Sequence, residues 1–594
     1  MCGIAGELRF DGTAPARATL ERMSARLARR GPDGSGFWSD GPVAFGHRRL
    51  AIIDLSERSR QPMVDASIGL SLVFNGTIYN YPELRHELIG RGHVFFSDGD
   101  TEVILRAYAE WGESCVERLH GMFAFALWDG ARLFLARDRL GIKPLYFART
   151  DRFFRFASNT QALLAAGGID TSLDPVALHH QFMLHASVPA PFTILKGIRK
   201  LEQGTTMTID IGGNGGRTSE RRYWTLSGQR PVVAKSEHEW TEAIHAALRV
   251  AVKKRIEIAD VKVGVLLSGG LDSSLLVALL AEQGVPDLMT FSVGFEDQPE
   301  ERGNEFEYSD AVADHFGTRH HKYAIPNSEV LRRLPEAVDC MAEPMVSQDV
   351  VSFYLLSEQV SRTVKVVQSG QGADEVFAGY SWHAKMAAEQ GAYVERLQRH
   401  YFDRDHAEFA SMLEARYQVG DVTSQLLADK LAEPCADEFI DQLLRAEATL
   451  LITDDPVKRV DNMTMAWGLE ARVPFLDHHL VELAAQMPPE LKLDSGGKHV
   501  LKTIARGLLP DSVIDRPKGY FPMPALKYVR GEFLDFMRGI LDAEACRQRG
   551  IYRRDYVDKL LAEPDKHLTR IQGSKLWHLA LLEYWLQRNV DCEG

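Results

Sequence analysis

The run VGVLLSGGLDSSLLVALL, residues 263–280, decides the fold. VKVGVLL (261–267) is a short apolar strand, SGG is a turn, and SSLLVALLAEQG has the length and composition of a helix. A strand that passes through glycines into a helix makes a cradle for an anion. Gly269 and Gly270 carry no Cβ, so main-chain N–H groups can approach phosphate oxygens, and the helix N-terminus adds a favourable dipole. The turn is not a Walker A loop, because no GKS or GKT closes it. Asp272 suits an N-cap.

Working outward, a helical run EHEWTEAIHAALRVAVKKRI precedes this strand and a second apolar strand, LMTFSVGF (288–295), follows its helix. Such alternation predicts an α/β domain over 237–590, with a parallel sheet, right-handed crossovers and a mostly helical C-terminal region. Upstream, VAFGHRRLAIIDL (43–55), LSLVFNGTIYNY (70–81) and GMFAFALWDGARLFLARD (121–138) are strand-like runs bounded by Gly, Asp and Asn. Residues 15–28 and 102–119 have apolar residues at helical spacing. An α+β domain over 2–210 is expected. Residues 211–236, rich in glycine, serine and charge, read as a linker.

At 594 residues and 66.5 kDa the chain is too long for one core, and its 45% hydrophobic and 25% charged residues are those of a folded, water-soluble protein. A formal charge of −13 argues against a nucleic-acid partner. Six cysteines without a CxxC pair suggest neither a disulfide framework nor a cysteine zinc site, and fit a reducing compartment. No leader-like segment and no long apolar span occur, so a cytoplasmic protein without a membrane partner is expected. A homodimer is compatible with this. The pairs His179–His180 and His320–His321 lack a metal-ligand helix pattern and read as structural or surface residues.

Cys2 places a thiol on what becomes the first residue once Met1 is removed. An α-amine with a pKa of about 7.7–8.0 is partly neutral at physiological pH and can take the thiol proton without a histidine.

MCGIAG, RGPDG (30–34), GHRRLAIIDL (46–55), NGTIYNY (75–81), GDTEVIL (99–105), GMFAFALWD (121–129) and ARDRLGIKPLYF (136–147) together resemble the amino-terminal-nucleophile domain of class II glutamine amidotransferases. The resemblance implies that Cys2 is the nucleophile that releases ammonia from glutamine and that Asn75 and Gly76 stabilise the oxyanion. It also implies that Arg49 holds the glutamine carboxylate and Asp100 faces its amine. Where asparagine synthetases read NGEIYN this chain has Thr77, which bears on glutamine affinity more than on cleavage. His47 and Arg48, beside Arg49, read as structural.

SGGLDSS is similar to the pyrophosphate loop of N-type ATP pyrophosphatases. VVQSGQGADEVFAGY (366–380), VDNMTMAWGLEARVPFLD (460–477) and GGKHVLK (496–502) extend the resemblance to the glutamine-hydrolysing asparagine synthetase family. The implied architecture is an α+β amino-terminal-nucleophile sandwich followed by an α/β ATP-pyrophosphatase domain. ATP would meet Leu267, Ser268, Gly269, Gly270, Asp272, Ser273, Ser369 and Gly370, and magnesium would meet Asp272 and Asp374, with Glu375 nearby. Lys498 would neutralise charge developing at the adenylate. The implied partners are glutamine, ATP and a small carboxylate acceptor, and the chemistry calls for a sheltered passage for ammonia between the halves.

Gln371 stands where asparagine synthetases have an acidic residue in SGEGADE. Opposite charges about 4 Å apart interact by about 4 kcal/mol at an effective dielectric near 20, so a pocket for a free amino acid would not lightly lose one. Asn159, where FASE is usual, and RPKGYFPMP (516–524) also depart from the common pattern. These features resemble the N-acetylglutaminylglutamine amidotransferase branch, whose amide product is an osmoprotectant; aspartate is the alternative acceptor. Gln371 is therefore expected in the acceptor pocket.

Overall fold

Cys2–Arg9 is an inner strand of a six-stranded antiparallel sheet ordered Arg199–Lys200, Tyr146–Arg149, Phe153–Ala157, Cys2–Arg9, Val43–Arg49, Gly34–Asp40. A second antiparallel sheet is ordered Arg217–Arg222, Thr205–Asp210, Arg132–Arg137, Gly121–Trp128, Leu70–Ile78, Met63–Asp65. The computed structural model describes residues 2–211, 216–297, 302–436, 438–516 and 524–591. Most of RPKGYFPMP lies outside the described residues.

Ile4, Leu8, Phe45 and Phe156 from the first sheet interleave with Val73, Ala124, Ala126 and Leu135 from the second, and all are buried. Helices Arg17–Ala25 and Thr160–Ala166 cover the outer face of the first sheet, and Asp100–Trp111 covers that of the second. Burial on both faces explains why these strands read as near-continuous apolar runs rather than alternating ones. The result is an α+β sandwich with Cys2, the first residue of its strand, buried inside.

Part of the expected linker is not linker. Arg217–Arg222 pairs with Thr205–Asp210 and forms the edge of the second sheet. The strand was hidden because its residues, RTSERR, are mostly exposed and charged, as suits an edge that must not pair with another chain. The next helix, Glu237–Glu257, starts at a capping box in which Ser236 and Glu239 exchange hydrogen bonds.

The third sheet is parallel and ordered Arg319–Ile325, Met289–Phe295, Val263–Leu266, Val366–Gln368, Glu470–Arg472. The chain builds outward from Val263–Leu266 in one direction and then returns to its other side. Loops leaving the C-terminal ends of Val263–Leu266 and Val366–Gln368 therefore diverge, which creates the crevice in which open α/β sheets bind ligands. SGGLDSS and SGQGADE are those two loops. The remainder of the chain is helical, ending in Lys575–Asn589.

The two halves share their cores. Leu50, Ile52, Met122 and Ile142 from the sandwich pack in one apolar cluster with Val265, Leu267 and Leu276. Buried ion pairs cross the same boundary: Arg30 and Lys143 reach Asp461 at 2.9 and 3.2 Å, and Lys200 reaches Glu343 and Asp454 at 3.0 and 2.6 Å.

Candidate active sites

In the sandwich, Cys2, Arg49, Gly76, Thr77 and Asp100 line one small buried cavity. Cys2 is 6% exposed and its main-chain N–H donates to Asn75 Oδ1 at 3.0 Å. That bond fixes the orientation of the amide, so Asn75 Nδ2 is its other end, and this donor is buried without a hydrogen-bond partner. An orphaned buried donor beside a thiol is the arrangement an oxyanion site would require before substrate arrives. A Cβ at Gly76 would stand 2.2 Å from the Met122 carbonyl oxygen, so only glycine lets the two strands close here.

Arg49 is held by the Ser56 carbonyl at 2.9 Å and by that of Asp54. Neutral acceptors leave its charge available for a carboxylate. Asp100 begins the helix Asp100–Trp111 and accepts from the Ile78 N–H at 3.1 Å. Burial pushes its carboxyl up to about 7, partly offset by that hydrogen bond. The cavity measures about 30 Å³. His47 is fully buried and Arg48 is bound to Ser24, consistent with structural roles.

Thr77 turns toward the second half. Its Oγ1 donates to Glu470 Oε1 at 3.3 Å. Burial alone would raise the Glu470 carboxyl, but the Arg472 guanidinium at 2.5 Å outweighs it and holds the group down to about 2. Neither residue was singled out from sequence. The available signal was a pair of opposite charges two residues apart in GLEARVPF, on one face of a strand set in apolar surroundings.

In the parallel-sheet half, a cavity of about 800 Å³ is lined by Leu267, Ser268, Gly270, Asp272, Ser273, Ser369, Gly370, Gln371 and Asp374, with Lys498. Of the expected nucleotide contacts, Gly269 alone is turned away. It takes a φ of +75°, and a Cβ there would meet Tyr308 and Ser309, so its role is to make the turn. Ser273 braces the loop: its Oγ accepts from the Ser268 N–H and donates to the Gly270 carbonyl, both at 3.2 Å. The loops touch at Gly370, where a Cβ would lie 3.0 Å from Asp272 Cβ. Phe291, Val293, Phe353 and Leu356 add an apolar wall of the kind a purine ring can stack against.

Lys498 is the electrostatic centre of this cavity. Its ammonium bridges Asp272 at 2.7 Å and Asp374 at 2.8 Å. Burial would lower its pKa, but the two carboxylates outweigh it and hold the amine well above its ordinary range. Two carboxylates converging on one cation are the donor set that a phosphate-bound magnesium needs. Glu375, raised to about 7 by burial and by Asp374, is hydrogen-bonded to the Tyr380 hydroxyl at 2.7 Å.

Family models match in the same two blocks: Glutamine amidotransferase domain over residues 1–224 and Asparagine synthase over residues 243–587. The chain belongs to the asparagine synthetase family. It is 33% identical to "Asparagine synthetase [glutamine-hydrolyzing] 3" of Bacillus subtilis over 88% of this chain and 87% of that protein. It is 31% identical to "Asparagine synthetase [glutamine-hydrolyzing] 1" of the same organism over 100% and 97%. The asparagine synthetase family member described here is thus a carbon–nitrogen ligase that takes its nitrogen from glutamine and uses ATP, forming AMP. Among the described residues no helix is long and apolar enough to cross a membrane.

Proposed function

We propose that this family member converts the carboxylate of an N-acylated dipeptide, N-acetylglutaminylglutamine, into its amide, with glutamine, ATP and magnesium. The observation that carries the acceptor assignment is the charge of the second cavity. Gln371 is neutral, and among the described residues the carboxylates lining the cavity each have a partner. Asp272 and Asp374 face Lys498, Asp349 and Asp455 face Arg459, Glu305 faces Arg516 and Glu447 faces His383. Glu375, pushed up to about 7, accepts from the Tyr380 hydroxyl at 2.7 Å. At the position of Gln371 itself a free ammonium would meet a neutral amide, whereas an acylated amine has no charge to lose.

The steps follow from the residues. With Met1 removed, the nitrogen now bonded to Asn75 becomes an α-amine and takes the Cys2 thiol proton. The thiolate attacks the glutamine amide carbon, and Asn75 Nδ2 with the Gly76 N–H receives the oxyanion. Arg49 holds the glutamine carboxylate and ionised Asp100 its ammonium. Collapse releases ammonia and leaves a thioester that water hydrolyses to glutamate. In the second cavity the acceptor carboxylate attacks the α-phosphorus of ATP, releasing pyrophosphate, and ammonia then displaces AMP from the acyl-adenylate. Ser268, Gly270, Ser273, Ser369 and Gly370 hold the phosphates, and Lys498 neutralises charge as it moves. Magnesium, held by Asp272 and Asp374, would spread negative charge over the phosphates. Because the two halves share an apolar cluster, ammonia crossing between them would be kept from bulk water.

We place the glutaminase unit at 2–222, beyond the 210 expected from sequence, and the synthetase unit at 237–590. Cytosolic accumulation of the amide as an osmoprotectant belongs to the same proposal. Purified protein incubated with glutamine and magnesium ATP should release pyrophosphate with N-acetylglutaminylglutamine and form a product about one mass unit lighter. Turnover with aspartate alone would make it an asparagine synthetase and sink the assignment of Gln371.

A further inference from the structure

Three segments remote in sequence bring two imidazoles and a carboxylate to one point on the wall of the synthetase cavity. His185 follows the helix Pro175–Met183 with a φ of 52°, Asp403 is anchored by its N–H to the Met183 carbonyl at 3.0 Å, and His578 lies in Lys575–Asn589. One ligand atom from each lies within 4.8 Å of the others. Asp403 Oδ2 is 3.3 Å from His185 Nδ1 and 3.4 Å from His578 Nδ1. Donors held at about 2.0–2.2 Å by a tetrahedral ion are about 3.3–3.6 Å apart. Two edges of the polyhedron therefore already have the right length.

Burial makes the arrangement costly unless something completes it. Asp403 is 2% and His578 1% exposed, yet Asp403 Oδ1 and both ring nitrogens of His578 lack hydrogen-bond partners. Buried polar atoms are normally satisfied; of these orphans, His578 Nδ1 is the one turned to Asp403 Oδ2, at 3.4 Å, and it has a lone pair or proton with no partner there. Gly573 borders both imidazoles: a Cβ there would stand 3.1 Å from His578 Nε2 and 3.4 Å from His185 Cε1. His185 and Gly573 also line the large cavity, so the cluster opens toward it.

We propose that His185, Asp403 and His578 form a site for one divalent transition-metal ion of the zinc class, separate from the magnesium pair Asp272 and Asp374. Two imidazoles and one carboxylate suit zinc or cobalt rather than magnesium, and the fourth position is left for water or an acceptor oxygen. The ion would tie the end of a glutaminase-side helix to the C-terminal helix. The charges facing the site include Asp403 itself, the Arg404 guanidinium, bound to the Phe182 and Lys575 carbonyls at 3.3 Å, Lys575, paired with Glu408 at 2.7 Å, and the Asp455–Arg459 pair on the His185 side. Arg404 lowers the affinity below that of an all-anionic site.

The test uses full-length protein stripped with EDTA and titrated with Co²⁺, read by its visible ligand-field absorption, and with Zn²⁺, read by calorimetry and thermal melting. The expected result is one equivalent bound, Co²⁺ displaced by Zn²⁺, and a raised melting temperature. His185→Gln, Asp403→Asn and His578→Gln should each weaken binding about 10–100-fold. Retained glutaminase activity certifies the fold of each variant, and His185→Gln alters the most accessible ligand. No saturable binding to the wild type, or binding unchanged in all three folded variants, overturns the proposal and leaves a metal-free His–Asp pair.

Discussion

Thr77 Oγ1 donates to Glu470 Oε1 at 3.3 Å, joining the strand that carries Asn75 and Gly76 to the last strand of the parallel sheet. Two residues beyond Glu470, the Arg472 carbonyl accepts from the Ser369 N–H at 2.9 Å. The oxyanion strand and an acceptor-cavity loop are thus three contacts apart. A hydrogen bond to a charged group contributes about 1.5–3 kcal/mol, so this link can bias one site by the state of the other. Thr77→Val should reduce glutamine-dependent synthesis about tenfold while ammonia-dependent synthesis falls far less. Equal losses with both donors would show that the link has only a structural role.

Removing the nucleophile should split the reaction. Cys2→Ala should abolish glutamate release but leave amide synthesis from added ammonium at about the wild-type rate. Asn75→Ala, which deletes an oxyanion donor, should lower the glutaminase kcat about 10²–10³-fold with little change in ammonia-dependent turnover. Initial rates with the two nitrogen donors measure both effects.

Asp100 gives the glutaminase a pH dependence. Its carboxyl, raised to about 7, is ionised above neutrality, and only the ionised form attracts the glutamine ammonium. kcat/KM for glutamine should rise between about pH 6 and 8, and Asp100→Asn should flatten that limb. The stability effect has the opposite sign. A raised carboxyl favours folding below its unfolded pKa and loses that contribution as pH rises through about 7, so Asp100→Asn should melt higher than wild type at pH 8 and no higher near pH 4. Identical melting differences at both pH values would contradict this.

Lys498 should be required for adenylation and for the shape of its cavity. Lys498→Met removes the cation between Asp272 and Asp374, leaving two carboxylates to repel each other. Acceptor-dependent pyrophosphate release should fall at least about 10³-fold, with glutaminase activity retained. Arginine at this position should not rescue, because a planar guanidinium cannot replace a compact ammonium enclosed by two loops.

The order of elements was legible along the chain because strand, glycine turn and helix have local signatures, as in VGVLLSGGLDSS. Arg217–Arg222 was not, since a charged edge strand looks like linker until a neighbour pairs with it. Gly269 was legible as a turn glycine, but the reason only glycine fits there was not: a Cβ would run into Tyr308 and Ser309 of the helix Phe306–Phe316.

The sequence by itself determined the chemistry available: a thiol at the second position, an amide and glycine in NGTIYNY, a pyrophosphate-type turn and a neutral Gln371. Those are properties of residue type and short spacing. The tertiary structure alone decided which groups meet across hundreds of residues: Thr77 with Glu470, Lys498 with Asp272 and Asp374, and His185 with Asp403 and His578. Such contacts are set by how the sheets and helices pack around their shared cores, and no local pattern encodes the partner of a buried charge.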